Sequence, residues 1–108
     1  MRGGYVYMMS NKYRGTIYIG VTADIFARGW QHKEKLVEGF TKKYNLTSLV
    51  WVECHDSIVS AIEAEKKLKN LHRNKKIAII EQSNPLWHDL YSEITGERSC
   101  AAALQPAG

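Results

Sequence analysis

The sequence predicts a small α+β fold, in which a three-stranded, mainly antiparallel sheet is flanked by helices. Three runs rich in aromatic and β-branched residues, at 5–9, 16–21 and 49–54, are typical of strands. Stretches with helical periodicity separate and follow them. A chain of 108 residues suits one domain with one hydrophobic core.

The first two predicted strands are separated only by a short polar loop that contains Gly15. Strands joined by so short a connection form an antiparallel hairpin. Because side chains alternate along a strand, Tyr5, Tyr7 and Met9 are expected on one face.

Helices are predicted before and after the third strand along the chain. Thr22 or Asp24 can cap a first helix that runs to about residue 38 and ends at Gly39, and residues 40–47 form a basic and aromatic connection. Asp56 or Ser57 can cap a second helix at 58–71. Further helical segments are expected at 75–82 and 87–94, separated by a proline-containing break.

The composition limits the class of protein. The predicted domain spans residues 1–94, and the Gly-, Ser- and Ala-rich residues 95–108 are predicted to form a disordered tail. No apolar run is long enough to span a bilayer, and no secretory signal is expected. Cys54 and Cys100 do not form a C-x-x-C pair, so a reduced, cytoplasmic setting without structural zinc is expected. The net charge of +4 favours an anionic partner, although a solvated basic surface is the alternative.

Glu65 is the most informative single residue. At about 100° per residue, Ile58, Ala61 and Leu68 form one apolar arc of the second helix, and Glu65 lies inside this arc. A carboxylate on a core-facing stripe needs a partner, and a divalent cation is one candidate. An ion pair with Lys69 at i+4 and an arc that opens to solvent are the two alternatives.

The first helix carries a second candidate cluster. Arg28 and His32 are four residues apart, so they share one stripe at the border of the buried side, either facing a groove or forming a solvated edge. Lys33 lies within the apolar arc, where its long stem can snorkel.

The motif Tyr5-Val6-Tyr7 followed by Tyr18-Ile19-Gly20 resembles the two strand motifs that name the GIY-YIG nuclease family. Arg28 and His32 match the family's positions on the next helix, and Glu65 matches its metal-binding glutamate. Tyr5 replaces the glycine of the first motif. The resemblance implies a GIY-YIG-like fold over residues 4–94.

Within that family, the chain resembles short bacterial proteins that are similar to the nuclease domain of the excinuclease C subunit. The runs at 39–45, 65–69 and 84–87 carry this likeness, and Asn84 looks like the family's late supporting asparagine. Residues 70–73 depart from the pattern of similar proteins. The likeness implies a role in DNA repair.

The resemblance implies an endonuclease dependent on one Mg²⁺ or Mn²⁺ ion, held by Glu65. Arg28 would bind the scissile phosphate, and His32 would support the site or transfer protons. Tyr18 is the expected general base or base relay, oriented by Tyr7, with Arg28 and the metal lowering the phenol's pKa. The products would carry 5′-phosphate and 3′-hydroxyl ends.

The predicted substrate is nucleic acid, with DNA favoured over RNA and shape recognised rather than sequence. A catalytically weak nucleic-acid-binding module and a partner-dependent nuclease subunit are the alternatives. The predicted nucleic-acid-binding residues are Lys33, Lys42, Lys43, Lys69, Arg73 and Asn84, with Lys66, Lys67, Lys75 and Lys76 as further phosphate contacts.

Overall fold

The computed structural model describes residues 3–36 and 39–97 of the chain. The elements are β1 (Gly4–Ser10), β2 (Ile17–Thr22), α1 (Ile25–Lys33), α2 (Phe40–Lys43), β3 (Ser48–His55), α3 (Ile58–Lys69), α4 (Arg73–Ser83) and α5 (Tyr91–Glu97). This order confirms the predicted α+β fold. In the described ranges, no helix has the length and apolar character that a membrane crossing requires.

The sheet has the strand order β2-β1-β3, and both neighbouring pairs are antiparallel. The predicted hairpin is confirmed, and β1 becomes the central strand because β3 pairs with its other edge. Tyr7 lies opposite Gly20 on one side and opposite Val52 on the other. A register shift after Met8 marks an irregularity in the β1–β3 pairing.

The two faces of β1 are packed against different helices. Tyr5, Tyr7 and Met9 belong to a buried cluster that includes Ile25 of α1 and Ile94 of α5. The alternate residues of β1 pack on the other side, with Ala61 of α3 and Ile80 of α4. The predicted period-two alternation is therefore confirmed, and the sheet is covered on both faces.

The first helix ends at Lys33, so its predicted extension to residue 38 is wrong. Lys35 adopts a left-handed conformation with φ of 58°. The amide of Leu36 then donates to the carbonyl of Gln31 at 2.8 Å, which closes the helix in a Schellman motif. A local backbone reversal at a lysine, not the glycine at position 39, stops the helix.

The last helix also differs from its predicted position. Trp87 has a positive φ of 59°, and its amide donates to the Asn84 carbonyl at 3.1 Å, so this segment forms a turn. The helix expected at 87–94 begins four residues later, at Tyr91, and continues to Glu97. The tail was predicted to begin at residue 95, but α5 extends over residues 95–97, and the rest of the predicted tail, 98–108, lies outside the described residues.

Candidate active site

Three aromatic rings from β1, β2 and α1 converge at one point. The Tyr7 and Tyr18 ring centroids are 6.3 Å apart. The imidazole ring of His32 lies 5.5 Å from the Tyr7 ring and 5.8 Å from the Tyr18 ring. Asp24 caps α1 by accepting from the amide of Ala27 at 3.1 Å, which confirms one of the two predicted caps.

A buried hydrogen-bond chain joins three of the elements around this point. The Tyr7 hydroxyl lies 2.9 Å from Nε2 of His32, and Nδ1 of His32 lies 3.1 Å from Oγ1 of Thr41. All three residues are buried, and only 2% of His32 is exposed. Both nitrogens of the imidazole are therefore occupied, which holds the ring in one orientation.

His32 is neutral at pH 7. Burial, and to a smaller extent the positive charge of Arg28, lowers its pKa from 6.5 to about 4. One ring nitrogen therefore donates a hydrogen bond and the other accepts one.

Tyr7 is held in its protonated form. Burial raises the pKa of its hydroxyl well above 10, the negative forms of Tyr18 and Glu65 raise it further, and Arg28 opposes them. Arg28 acts on the Tyr7 hydroxyl in the lowering direction, but desolvation of the phenolate outweighs the attraction to the guanidinium, so the net pKa of Tyr7 is raised. The same balance shows that Arg28 and Glu65 both lie within electrostatic reach of Tyr7.

Glu65 lies on α3 with only 15% of its side chain exposed, which matches its predicted place on an inward stripe. Its Oε2 lies 3.0 Å from Nζ of Lys69, so the ion pair considered as an alternative is present. Within the described ranges, no three His, Cys, Asp or Glu side chains are grouped to hold a metal ion. A divalent ion bound through the Glu65 carboxylate alone would keep most of its waters, and such a donor set suits Mg²⁺.

Lys33 and Arg73, two of the predicted nucleic-acid-binding residues, make contacts that connect separate elements of the chain. Lys33 forms an ion pair with Asp89, and its ammonium lies 5.7 Å from the ring centroid of Tyr91. One guanidinium nitrogen of Arg73 donates to the carbonyls of Arg14 and Gly15, at 2.6 and 2.8 Å. These contacts tie α1 to α5 and α4 to the β1–β2 loop.

Asn84 is buried and supports the chain after α4. Its Nδ2 donates to the carbonyls of Val50 and His88, at 3.0 and 2.8 Å, and its Oδ1 accepts from the amide of His88 at 3.0 Å. A direct contact of Asn84 with nucleic acid would require these bonds to break, so its geometry favours the supporting role.

The other three predicted residues lie at the surface beside the site. Lys42 and Lys43 are exposed on α2, and half of the Lys69 side chain is exposed on α3. Sequence patterns did not single out Thr41, because a threonine in a basic connection has no periodicity or motif of its own. Only the packing of α2 against α1 shows its bond to His32.

The family model described as the GIY-YIG catalytic domain matches residues 3–78, which include Tyr7, Tyr18, Arg28, His32 and Glu65. Asn84 lies beyond the matched residues. No curated protein and no solved structure gives a significant match to the chain. Since the match covers well over half of the 108 residues, the chain belongs to the GIY-YIG nuclease superfamily.

Proposed function

We propose that the protein is a divalent-metal-dependent endonuclease that hydrolyses phosphodiester bonds in DNA. The observation that carries this proposal is the convergence of the Tyr7, Tyr18 and His32 rings, with Arg28 and Glu65 in electrostatic reach. Phosphodiester hydrolysis needs a nucleophile, a group that binds the phosphate and a means of stabilising the charge that develops. Each need has a candidate in this cluster.

Arg28 is the candidate phosphate ligand. Its guanidinium is always charged and presents a planar fork that matches two phosphate oxygens. It is partly buried beside two neutral groups, the Tyr7 hydroxyl and the His32 imidazole. Its charge acts on both of these groups, so it lies where it can attract an anion that enters the cluster.

The two tyrosines have different roles. Tyr7 is protonated and bonded to His32, so it holds geometry and does not accept a proton at neutral pH. Tyr18 is partly exposed, so its hydroxyl is the one that water can approach. In its deprotonated form, the Tyr18 phenolate takes a proton from the attacking water, with Tyr7 orienting the ring next to it.

Glu65 is the residue that would hold the metal, which we propose to be Mg²⁺ or Mn²⁺. When bound, the ion supplies Lewis-acid stabilisation of the charge on the phosphate and the leaving oxygen. Lys69 shares the Glu65 carboxylate and must yield or share it on metal binding. The resemblance to the excinuclease C nuclease domain supports structure-selective cutting of DNA in cytoplasmic repair.

The test is cleavage of labelled DNA with Mn²⁺, using linear duplex, nicked, branched and single-stranded forms. Glu65→Ala is expected to lower the rate by about 10²- to 10³-fold, because it removes the charge stabilisation that the metal supplies. Glu63→Ala, an exposed glutamate on the same helix, is the matched control and should cut like the wild type. Equal cutting by Glu65→Ala would contradict the proposal, and binding without any metal-dependent cutting would indicate a binding module instead.

A further inference from the structure

An aromatic row leads outward from the candidate site. It consists of Tyr18, Phe40 and Tyr44. The Tyr18 and Phe40 rings are stacked with centroids 6.3 Å apart and an interplanar angle of 26°, and the Phe40 and Tyr44 centroids are 4.8 Å apart. Phe40 and Tyr44 are 46% and 45% exposed, so about half of each side chain faces solvent.

The row is held in place by the hydrogen-bond chain of the site. Phe40 and Thr41 are neighbours on the short helix α2. The buried Thr41 hydroxyl bonds His32, which in turn bonds Tyr7. The exposed ring of Phe40 is therefore one residue away from a buried anchor that also positions the reacting groups.

Cationic side chains accompany the row. A depression of about 280 Å³ beside it is lined by Tyr18, Phe40, Lys69 and Lys76, together with Ile17 and Ile19. The ammonium of Lys43 lies 5.4 Å from the centroid of the Tyr44 ring. The surface thus combines exposed aromatic faces with positive charge, and it is continuous with the Tyr18 ring.

This combination fits single-stranded nucleic acid better than it fits the alternatives. Unpaired bases stack on aromatic side chains while lysines neutralise the backbone, and stacking tolerates any base. The bases of a continuous duplex are already stacked on one another and present no free face to Phe40 or Tyr44. A protein partner is less suited, because lysines are depleted in protein interfaces.

We propose that Phe40 and Tyr44 form a stacking platform for unpaired bases next to the scissile phosphate. A single-stranded or frayed segment would lie along the aromatic row, with its backbone on Lys43, Lys69 and Lys76. Binding of a strand to the two rings does not need the metal. The proposal rests on the proposed nuclease function only in stating that the bound strand is then cut. It makes the protein select substrates with unpaired nucleotides at the cut.

The test is fluorescence anisotropy with labelled single strands and the matching duplex, in EDTA so that no cutting occurs. Phe40→Ala and Tyr44→Ala should each weaken single-strand binding by roughly tenfold, because each removes the ring on which one base stacks. Both variants should change duplex binding less than twofold. Phe40→Trp and Tyr44→Phe keep a ring and should retain the affinity. Trp30→Ala is the matched control, since Trp30 is 50% exposed on the face of α1 turned away from Arg28 and His32.

DNA and RNA strands of the same sequence are both measured. The natural ligand is identified as the strand that the wild type binds more tightly and whose binding weakens when a ring is removed. Ultraviolet crosslinking of wild-type protein to a strand containing 5-iodouracil should label Phe40 or Tyr44, which avoids any effect of substitution on folding. Equal losses on strand and duplex, or crosslinks only elsewhere, would overturn the platform. Ring-dependent binding without metal-dependent cutting would support the platform and refute the nuclease. Metal-dependent cutting without ring-dependent binding would support the nuclease and refute the platform.

Discussion

Gly20 faces Tyr7 across the β1–β2 pair, and a Cβ added to Gly20 would lie 2.5 Å from the Tyr7 hydroxyl oxygen. The same atom would lie 2.9 Å from Cε2 of Tyr18. The absence of a side chain therefore lets the two phenol rings approach each other. This contact gives a physical reason for a glycine after the tyrosine-isoleucine pair of the second motif.

Gly20→Ala is expected to displace the Tyr7 ring and break its bond to His32. Overpacking of this kind costs about 1–3 kcal/mol, so the free energy of unfolding should fall by that amount. Metal-dependent cutting should fall at least tenfold, because the Tyr7–Tyr18 geometry is lost. Urea unfolding and cleavage assays measure the two effects. Val21→Ala, which removes partly buried methyl groups from the next position of β2, should lower stability yet keep most of the cutting.

His32 makes the stability of the fold depend on pH. Its pKa in the folded chain is about 4, below the ordinary value of 6.5, so the unfolded chain binds a proton that the folded chain rejects between these pH values. The stabilisation is fully present above pH 6.5 and is lost as the pH falls toward 4. From pH 7 to pH 5, the free energy of unfolding should drop by about 2 kcal/mol from this group.

Urea unfolding at pH 7, 6 and 5 measures this dependence. His32→Asn removes the titrating imidazole and should flatten the pH dependence by the same amount, whatever its own stability at pH 7. An unchanged slope in His32→Asn would show that other groups cause the acid sensitivity.

Lys69 competes with a metal ion for the Glu65 carboxylate, because its ammonium lies 3.0 Å from Oε2. Lys69→Met removes the competitor and keeps the aliphatic stem. The ammonium end of this pair is half exposed, and solvent-screened pairs contribute about 1 kcal/mol or less, so the Mn²⁺ concentration for half-maximal cutting should fall about two- to fivefold. The assay uses saturating DNA, since Lys69 also lines the depression beside Tyr18.

Lys67→Met serves as the control for that experiment, because Lys67 is an exposed lysine on the same helix. It should leave the metal requirement unchanged. A Mn²⁺ requirement that rises in Lys69→Met would mean that the lysine assists metal binding rather than opposing it.

Arg73 ties α4 to the β1–β2 loop through two hydrogen bonds to loop carbonyls. Hydrogen bonds from a charged donor contribute about 1.5–3 kcal/mol each, and exposure of this contact reduces that figure. Arg73→Ala should therefore lower the free energy of unfolding by about 1–2 kcal/mol, as measured by urea denaturation. Lys75→Ala, exposed on the same helix, should leave stability within about 0.5 kcal/mol of the wild type. Weaker DNA binding with unchanged stability would favour the predicted nucleic-acid contact instead.

Some properties of the chain follow from local patterns in the sequence. The hairpin follows from two strand-forming runs and a short polar loop, and the shared face of Tyr5, Tyr7 and Met9 follows from the period of a strand. The inward position of Glu65 follows from the period of a helix. Each of these features depends on residues only a few positions apart, so the spacing of residue types in the sequence is enough to predict it.

Other properties were decided only by the tertiary structure. The bonds from His32 to Tyr7 and Thr41 span 25 and 9 residues, and the bonds of Arg73 and Asn84 span up to 59 and 34. No local pattern specifies a partner at such a separation, because the partner depends on how whole elements pack. The sequence by itself therefore indicated the three strands, the approximate places of the longer helices and the candidate site residues. Packing decided which of those residues contact one another, and which make hydrogen bonds that stabilise the fold.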